Sequence, residues 1–149
     1  VDELRLDRQV CFALYAASRA ITQLYRPLLE ELGLTYPQYL VMLVLWERGP
    51  ATVKELGAAL ELDSGTLSPL LKRLEATGLV SRGRRVADER SVEVRLTPAG
   101  ERLENRAAGV PRKIAKATGL RAAELAELRR TLVALTAVVG AARLDPDES

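Results

Sequence analysis

Apolar residues recur at alternating steps of four and three through Val10, Leu14, Ala17, Ile21, Leu24 and Leu28, the stripe of one long helix over residues 6–32. Pro27 lies inside this stripe and is expected to kink it or loosen its last turn, and Gly33 to stop it. Residues 37–47 read as a second helix whose centre, Tyr39 to Trp46, is apolar on all sides and so belongs inside the protein. Thr52 and Glu55 stand at capping-box spacing ahead of a short helix that buries Val53, Leu56 and Leu60. After the very short link Glu61-Leu62, Asp63 caps a further helix that packs through Leu67, Leu70, Leu71 and Leu74 and closes at Gly78. Two short amphipathic helices joined by a tight turn form a helix-turn-helix.

The period then changes. Val92, Val94 and Leu96 alternate with Glu93 and Arg95, which marks a strand, and residues 79–82 supply its antiparallel partner. The polar, arginine-rich segment 83–91 between them makes a charged hairpin tip, a wing. Thr97-Pro98 opens another helix with the stripe Leu103, Ala107, Val110, Ile114 and Ala117, which Pro111 is expected to bend. A last helix over residues 122–142 shows Leu125, Leu128, Leu132, Leu135 and Val139 on one face. The fold class expected is mainly α with a small β-hairpin: a winged helix-turn-helix lobe (residues 37–96) and a helical dimerisation region (residues 6–32 and 98–143) in one chain, 1–149. The outer helices carry more apolar stripe than a small winged lobe needs, and their heptad-like spacing points to a homodimer.

Composition narrows the chemistry. The 149 residues include no histidine and a single cysteine, Cys11, so neither an internal disulfide nor a histidine- or cysteine-rich metal cluster is available, and no cofactor is called for. No apolar run reaches membrane-spanning length and no secretory pattern opens the chain, so a cytoplasmic protein without a membrane partner is expected. The net charge of +2 does not by itself announce a nucleic-acid partner, since residues 52–95 hold eight basic and seven acidic side chains. The case for DNA rests on where the charges sit.

With the leucines of the second helix of the pair facing inward, its opposite face shows Gly65, Ser68, Pro69, Lys72 and, at the edge, Arg73, with Ser64 and Thr66 in the first turn. Small polar residues there can approach base edges, while the basic residues can meet phosphates. The wing adds Arg82, Arg84, Arg85 and Arg90; an arginine at a hairpin tip can enter the minor groove. Asp88 is expected to orient Arg90 by an ion pair. A protein of this plan fits a pseudo-palindromic double-stranded operator, two recognition helices about ~10 bp apart.

Cys11, Tyr15, Ser18, Thr22 and Tyr25 share one face of the first helix, beside its apolar stripe. Cys11 and Tyr15 are one turn apart. Cys11 and Tyr25 are ~21 Å apart along a straight helix at 1.5 Å per residue, so they can meet only if a second copy lies antiparallel; Tyr36 is placed to join them. Thiolate is the reactive form of cysteine, tyrosine hydroxyls can donate hydrogen bonds to it, and an early helical turn favours negative charge. A lone cysteine among aromatic residues is also the pattern of an inert small hydrophobe, and spacing does not separate the two.

The stretches CFALYAASR (residues 11–19), LYRPLL (24–29) and LTYPQYL (34–40) closely resemble the organic hydroperoxide-sensing, OhrR-like branch of the MarR family. LDSGTLSPLLKR (62–73) and DERS (88–91) resemble that family's recognition helix and wing. The resemblance runs from about residue 6 to residue 96; the last two helices match only in pattern. It implies a homodimeric repressor, not an enzyme, that senses an organic hydroperoxide by oxidation of Cys11 and then releases its DNA, with Tyr15, Tyr25 and Tyr36 supporting the thiolate, some of them from the partner subunit. With one cysteine, the step after sulfenic acid needs an external low-molecular-weight thiol, or is further oxidation. A MarR-type repressor answering a non-covalent phenolic ligand, a thiol peroxidase and a helical interaction module are the alternatives.

Overall fold

The computed structural model describes the backbone of residues 1–85 and 88–144, and the side chains of all of these except residues 85 and 88–90. The chain divides into two units, Val1–Gly109 and a second beginning at Val110. The first holds α1 (Val10–Glu30), α2 (Tyr36–Arg48), β1 (Ala51–Thr52), α3 (Val53–Leu60), α4 (Ser64–Ala76), β2 (Val80–Arg85), β3 (Asp88–Leu96) and α5 (Pro98–Ala107). The second holds α6 (Val110–Thr118) and α7 (Ala122–Ala141).

Local chemistry sets the helix ends. Thr35 and Gln38 form a reciprocal capping box at the start of α2, and Thr52 and Glu55 form one at α3. The Asp63 carboxylate accepts the Thr66 N–H at 2.7 Å and so starts α4. Thr97 accepts the Gly100 N–H at 3.1 Å and starts α5, with Pro98 in its first turn. Gly33, Gly49 and Gly78 take positive φ where helices stop. The turn of the helix-turn-helix needs Glu61 at φ 55°, and it is tight: a Cβ on Gly57 would stand 2.8 Å from the Leu62 carbonyl.

The core forms around α2. Val41, Met42 and Leu45 are essentially sealed from water, as are Leu56 of α3 and Leu67, Leu71 and Leu74 of α4. Burial at this level stabilises by roughly 1.5–3 kcal/mol per large aliphatic side chain. The expected inward face of α4 is the one observed. At the far end of α2, Trp46 donates its indole N–H to the Gly100 carbonyl of α5 at 3.0 Å. Gly100 in turn lies against the backbone that leads into the wing: a Cβ there would stand 2.1 Å from the Leu79 carbonyl oxygen, which also accepts the Thr97 N–H at 3.0 Å.

The structure departs from the sequence expectations in four places. The first helix begins at Val10, after two short 3-10 turns over Asp2–Leu4 and Leu6–Arg8, and it runs through Pro27 to Glu30. The wing belongs to a three-stranded sheet of order β1-β3-β2, because Ala51 and Thr52 pair with Val94 and Glu93. Strand pairing extends into the segment read as the tip, with Arg84 opposite Val92 and Arg85 opposite Asp88 after a register shift. The single bent helix expected over residues 98–117 is two helices, α5 and α6. Pro111 sits in the first turn of α6, where its missing N–H costs nothing, so it marks a beginning and not a bend.

The apolar stripe of α1 is not buried within its own chain. Only Leu29 is fully enclosed, while Val10, Phe12, Ile21 and Leu24 are exposed. On α7, Leu128, Leu132, Val133, Leu135, Val138 and Val139 are exposed and no residue is buried. Among the described residues, no helix is long and apolar enough to cross a membrane and no acidic or cysteine cluster is arranged to hold a metal ion.

Candidate functional site

The outer face of α4 presents Ser64, Gly65, Thr66, Pro69, Lys72 and Arg73 to solvent, with Ser68 half-buried at its edge. An open cleft of about 680 Å³ lies between α3, the first turns of α4 and the wing strands, lined in part by Lys54, Ser64, Ser68, Arg82 and Ser91. Four of the seven acids of residues 52–95 have placed partners. Glu55 and Asp63 are spent on caps, Glu75 on Arg82 and Glu93 on Arg95. Lys54, Lys72, Arg73 and Arg84 are exposed, and among the described residues no acid is paired to them. These four cations are free to meet phosphates on this face.

Arg82 differs from Arg84. Its guanidinium meets the Glu75 carboxylate at 3.3 Å, its backbone N–H donates to the same carboxylate at 3.1 Å, and its Nε is buried without a partner. Hydrogen bonds from Arg82 hold the Glu75 carboxyl below the usual carboxylate range. This pair ties the root of the wing to the end of the recognition helix, so Arg82 sets the wing's position here. The side chains of Arg85, Asp88 and Arg90, and so the expected Asp88–Arg90 pair, lie outside the described residues.

Asp63 offers a direct check on the α4 surface. Asp63→Ala removes the cap and is expected to cost about 1 kcal/mol of stability. It is also expected to weaken operator binding by more than the same change at exposed Glu61, because the fraying turn carries Ser64, Gly65 and Thr66. Thermal melts and fluorescence anisotropy on the two variants read both effects.

The redox candidates fall into two groups on α1. Cys11 is exposed within its own chain, in the first turn of α1. Gln9, at the N-cap position, turns its amide back to the carbonyls of Glu3 and Arg5 and leaves the first N–H groups of α1 without a side-chain cap. Such groups favour a negative charge beside them. Tyr15, one turn on, is exposed and carries the Arg19 guanidinium over its ring at 5.5 Å.

Tyr25 stands near the other end of α1. Its ring centroid is 4.8 Å from that of Tyr36 and 5.7 Å from that of Tyr39, and Tyr36 and Tyr39 are 6.3 Å apart. The structure therefore joins Tyr25 and Tyr36, as expected, and adds Tyr39, which the sequence pattern assigned only to the core of α2. Burial, then the neighbouring Tyr36 and Tyr39, push the Tyr25 hydroxyl up to about 12; burial raises Tyr36 and Tyr39 as well. All three are therefore protonated hydrogen-bond donors at neutral pH.

This arrangement of helices and wing has known counterparts. The transcriptional regulator SarA/Rot family matches residues 23–106, which include the whole helix-turn-helix and wing. The organic hydroperoxide resistance transcriptional regulator of Bacillus subtilis (strain 168) is 46% identical over 134 residues, 90% of this chain and 91% of that protein. The chain belongs to the MarR family of transcriptional regulators, in its OhrR-like branch. The HTH-type transcriptional regulator TtmR of Methylorubrum extorquens (strain PA1) is 52% identical over 119 residues, 80% of this chain and 61% of TtmR. Among solved structures, reduced AbfR bound to DNA, the AbfR of Staphylococcus epidermidis, superposes with a TM-score of 0.72 at 38% identity, over 90% of this chain and 96% of that one. In this MarR-type frame α3 and α4 are the helix-turn-helix and β2 with β3 the wing.

Proposed function

We propose that this MarR-family regulator is a cytoplasmic homodimeric repressor, not an enzyme, that holds a pseudo-palindromic operator while Cys11 is reduced and releases it when an organic hydroperoxide oxidises Cys11. The observation that carries the reading is the separation of two complementary groups on one helix. Cys11 is exposed at one end of α1, and the protonated tyrosine cluster stands fourteen residues away, ~21 Å at 1.5 Å per residue. Between them runs an apolar stripe open to water. A second α1 laid antiparallel on that stripe brings each Cys11 to the partner's Tyr25 and Tyr36. The exposed face of α7 supplies further apolar area for the same assembly, so residues 6–32 and 98–143 serve dimerisation and residues 37–96 serve DNA.

In this dimer the two α4 helices enter successive major grooves about ~10 bp apart. Ser64, Gly65, Thr66, Ser68 and Pro69 meet base edges. Lys72, Arg73 and Arg84 meet phosphates, and Arg85 and Arg90 at the wing reach the minor groove with Asp88 orienting Arg90. The Cys11 thiolate attacks one oxygen of the hydroperoxide; the O–O bond breaks, sulfur keeps that oxygen as a sulfenic acid, and the alkoxide leaves and is protonated to an alcohol. A low-molecular-weight thiol then condenses with the sulfenic acid, forming a mixed disulfide and water. Added bulk at Cys11 displaces the partner's Tyr25 and Tyr36. Since α2 carries Tyr36 and packs on α3 and α4, the recognition helices lose their spacing.

The test is anisotropy on a selected palindromic DNA, titrating cumene hydroperoxide with a small thiol present, with intact mass read on the same samples. Release in step with a mass increase of one thiol per chain supports the reading. Release with no mass change at Cys11 would sink it in favour of a non-covalent ligand.

A further inference from the structure

Tyr39 has no assigned part in the sensor reading, and its placement is unusual for a core residue. It is 2% exposed, among the apolar side chains of α2, and it is an aromatic ring where that helix is otherwise mostly aliphatic. A leucine at this position would also supply apolar surface to the core. Its ring instead contacts both Tyr25 and Tyr36, at centroid distances of 5.7 and 6.3 Å and interplanar angles of 45° and 40°, within the range of favourable tilted aromatic pairs. Tyr25 and Tyr36 come from different helices, are only half-buried, and touch each other at 4.8 Å. Tyr39 is the one member of the trio fixed in the core, one turn beyond Tyr36 on α2.

We infer that Tyr39 is a positioning residue of the sensor: its ring fixes the directions of the Tyr25 and Tyr36 hydroxyls that meet the partner's Cys11. This rests on the proposed sensor reading and names a residue that reading does not require. The mechanism is steric. With the ring present, Tyr25 and Tyr36 cannot fold inward. With a smaller side chain at residue 39, a cavity opens beneath them and one of the rings falls into it, taking its hydroxyl away from the surface. The ring does this work, so removing only the hydroxyl is tolerated.

The experiment uses full-length reduced protein with Tyr39→Leu and Tyr39→Phe. It measures the rate of Cys11 thiol loss to cumene hydroperoxide, operator affinity before oxidation, and the tyrosinate absorbance titration. Tyr39→Leu is expected to slow thiol loss about tenfold, the rate equivalent of one lost hydrogen bond, and to lower the pH at which the most resistant tyrosine ionises. Reduced operator affinity is expected to stay within about twofold, as for a change with no effect on the DNA face. Tyr39→Phe is expected to match wild type in rate. Wild-type kinetics in Tyr39→Leu, or a Tyr39→Phe protein as slow as Tyr39→Leu, would overturn the inference. A fall in operator affinity and melting temperature with thiol loss unchanged would also overturn it, because that is the signature of a purely structural residue. A wild-type protein whose DNA binding ignores hydroperoxide fails the sensor reading itself, a separate result visible before any variant is made.

Discussion

Replacing Cys11 with serine is expected to abolish hydroperoxide-driven release of DNA while leaving operator affinity of the unoxidised protein within about twofold of wild type, the scale of an ordinary surface substitution. The two halves of this expectation have separate physical grounds. Cys11 is exposed and, among the described residues, no hydrogen bond or ion pair involves its side chain, so exchanging sulfur for oxygen leaves the packing of α1 within its own chain alone. The chemistry is lost altogether, because a serine hydroxyl is not ionised near neutral pH and does not attack an O–O bond, and the chain has no second thiol to take over. Anisotropy with a hydroperoxide and small-thiol titration, run side by side on the two proteins, reads both halves. If the serine protein releases DNA as wild type does, Cys11 is not the sensor.

Gly100→Ala is expected to destabilise the protein by about 2 kcal/mol or more, the upper part of the range for forcing extra atoms into a packed site. The sign is decided by a competition. In an open helix the same change gains roughly 1 kcal/mol, because alanine is the better helix former. At residue 100 the new methyl would stand 2.1 Å from the Leu79 carbonyl oxygen, and the neighbour is backbone. That carbonyl is held by the Thr97 N–H, and the adjacent Gly78 carbonyl by the Thr97 hydroxyl at 2.5 Å, so it cannot step aside without breaking the start of α5. A melting-temperature drop of several degrees checks the expectation. An unchanged or higher melting temperature would show that the contact relaxes freely.

What could be read from the sequence was what local chemistry dictates. Thr52 with Glu55, Asp63, and Thr97 with Pro98 each announce a helix start within four residues of chain, and the leucines of α4 announce its buried face. Most of what the structure adds has its determinants elsewhere in the chain. Strand β1 is two residues long and exists because Val94 and Glu93 come alongside it. Arg82 reads as one more wing arginine until Glu75, seven residues earlier, is seen to hold it. The membership of Tyr39 in the tyrosine cluster was hidden because an all-round apolar pattern says that a residue is buried, not against what. Pro111 was visible, but a proline that bends a helix and one that begins a helix look alike in sequence. On the sensor side, the separation of Cys11 and Tyr25 was already legible in the sequence, because a straight helix fixes the distance between them.

Trp46 is the single tryptophan of the chain, and the fold has placed it at the junction where α2 meets α5, its indole N–H on the Gly100 carbonyl. The protein therefore contains its own optical reporter. Indole emission depends on hydrogen bonding and on the polarity around the ring, so ultraviolet fluorescence of the unlabelled protein watches one joint: the one between the helix that bears Tyr36 and Tyr39 and the backbone from which the wing departs. A shift of that emission during oxidation would time the mechanical event against the chemical one, with no dye or engineered residue added.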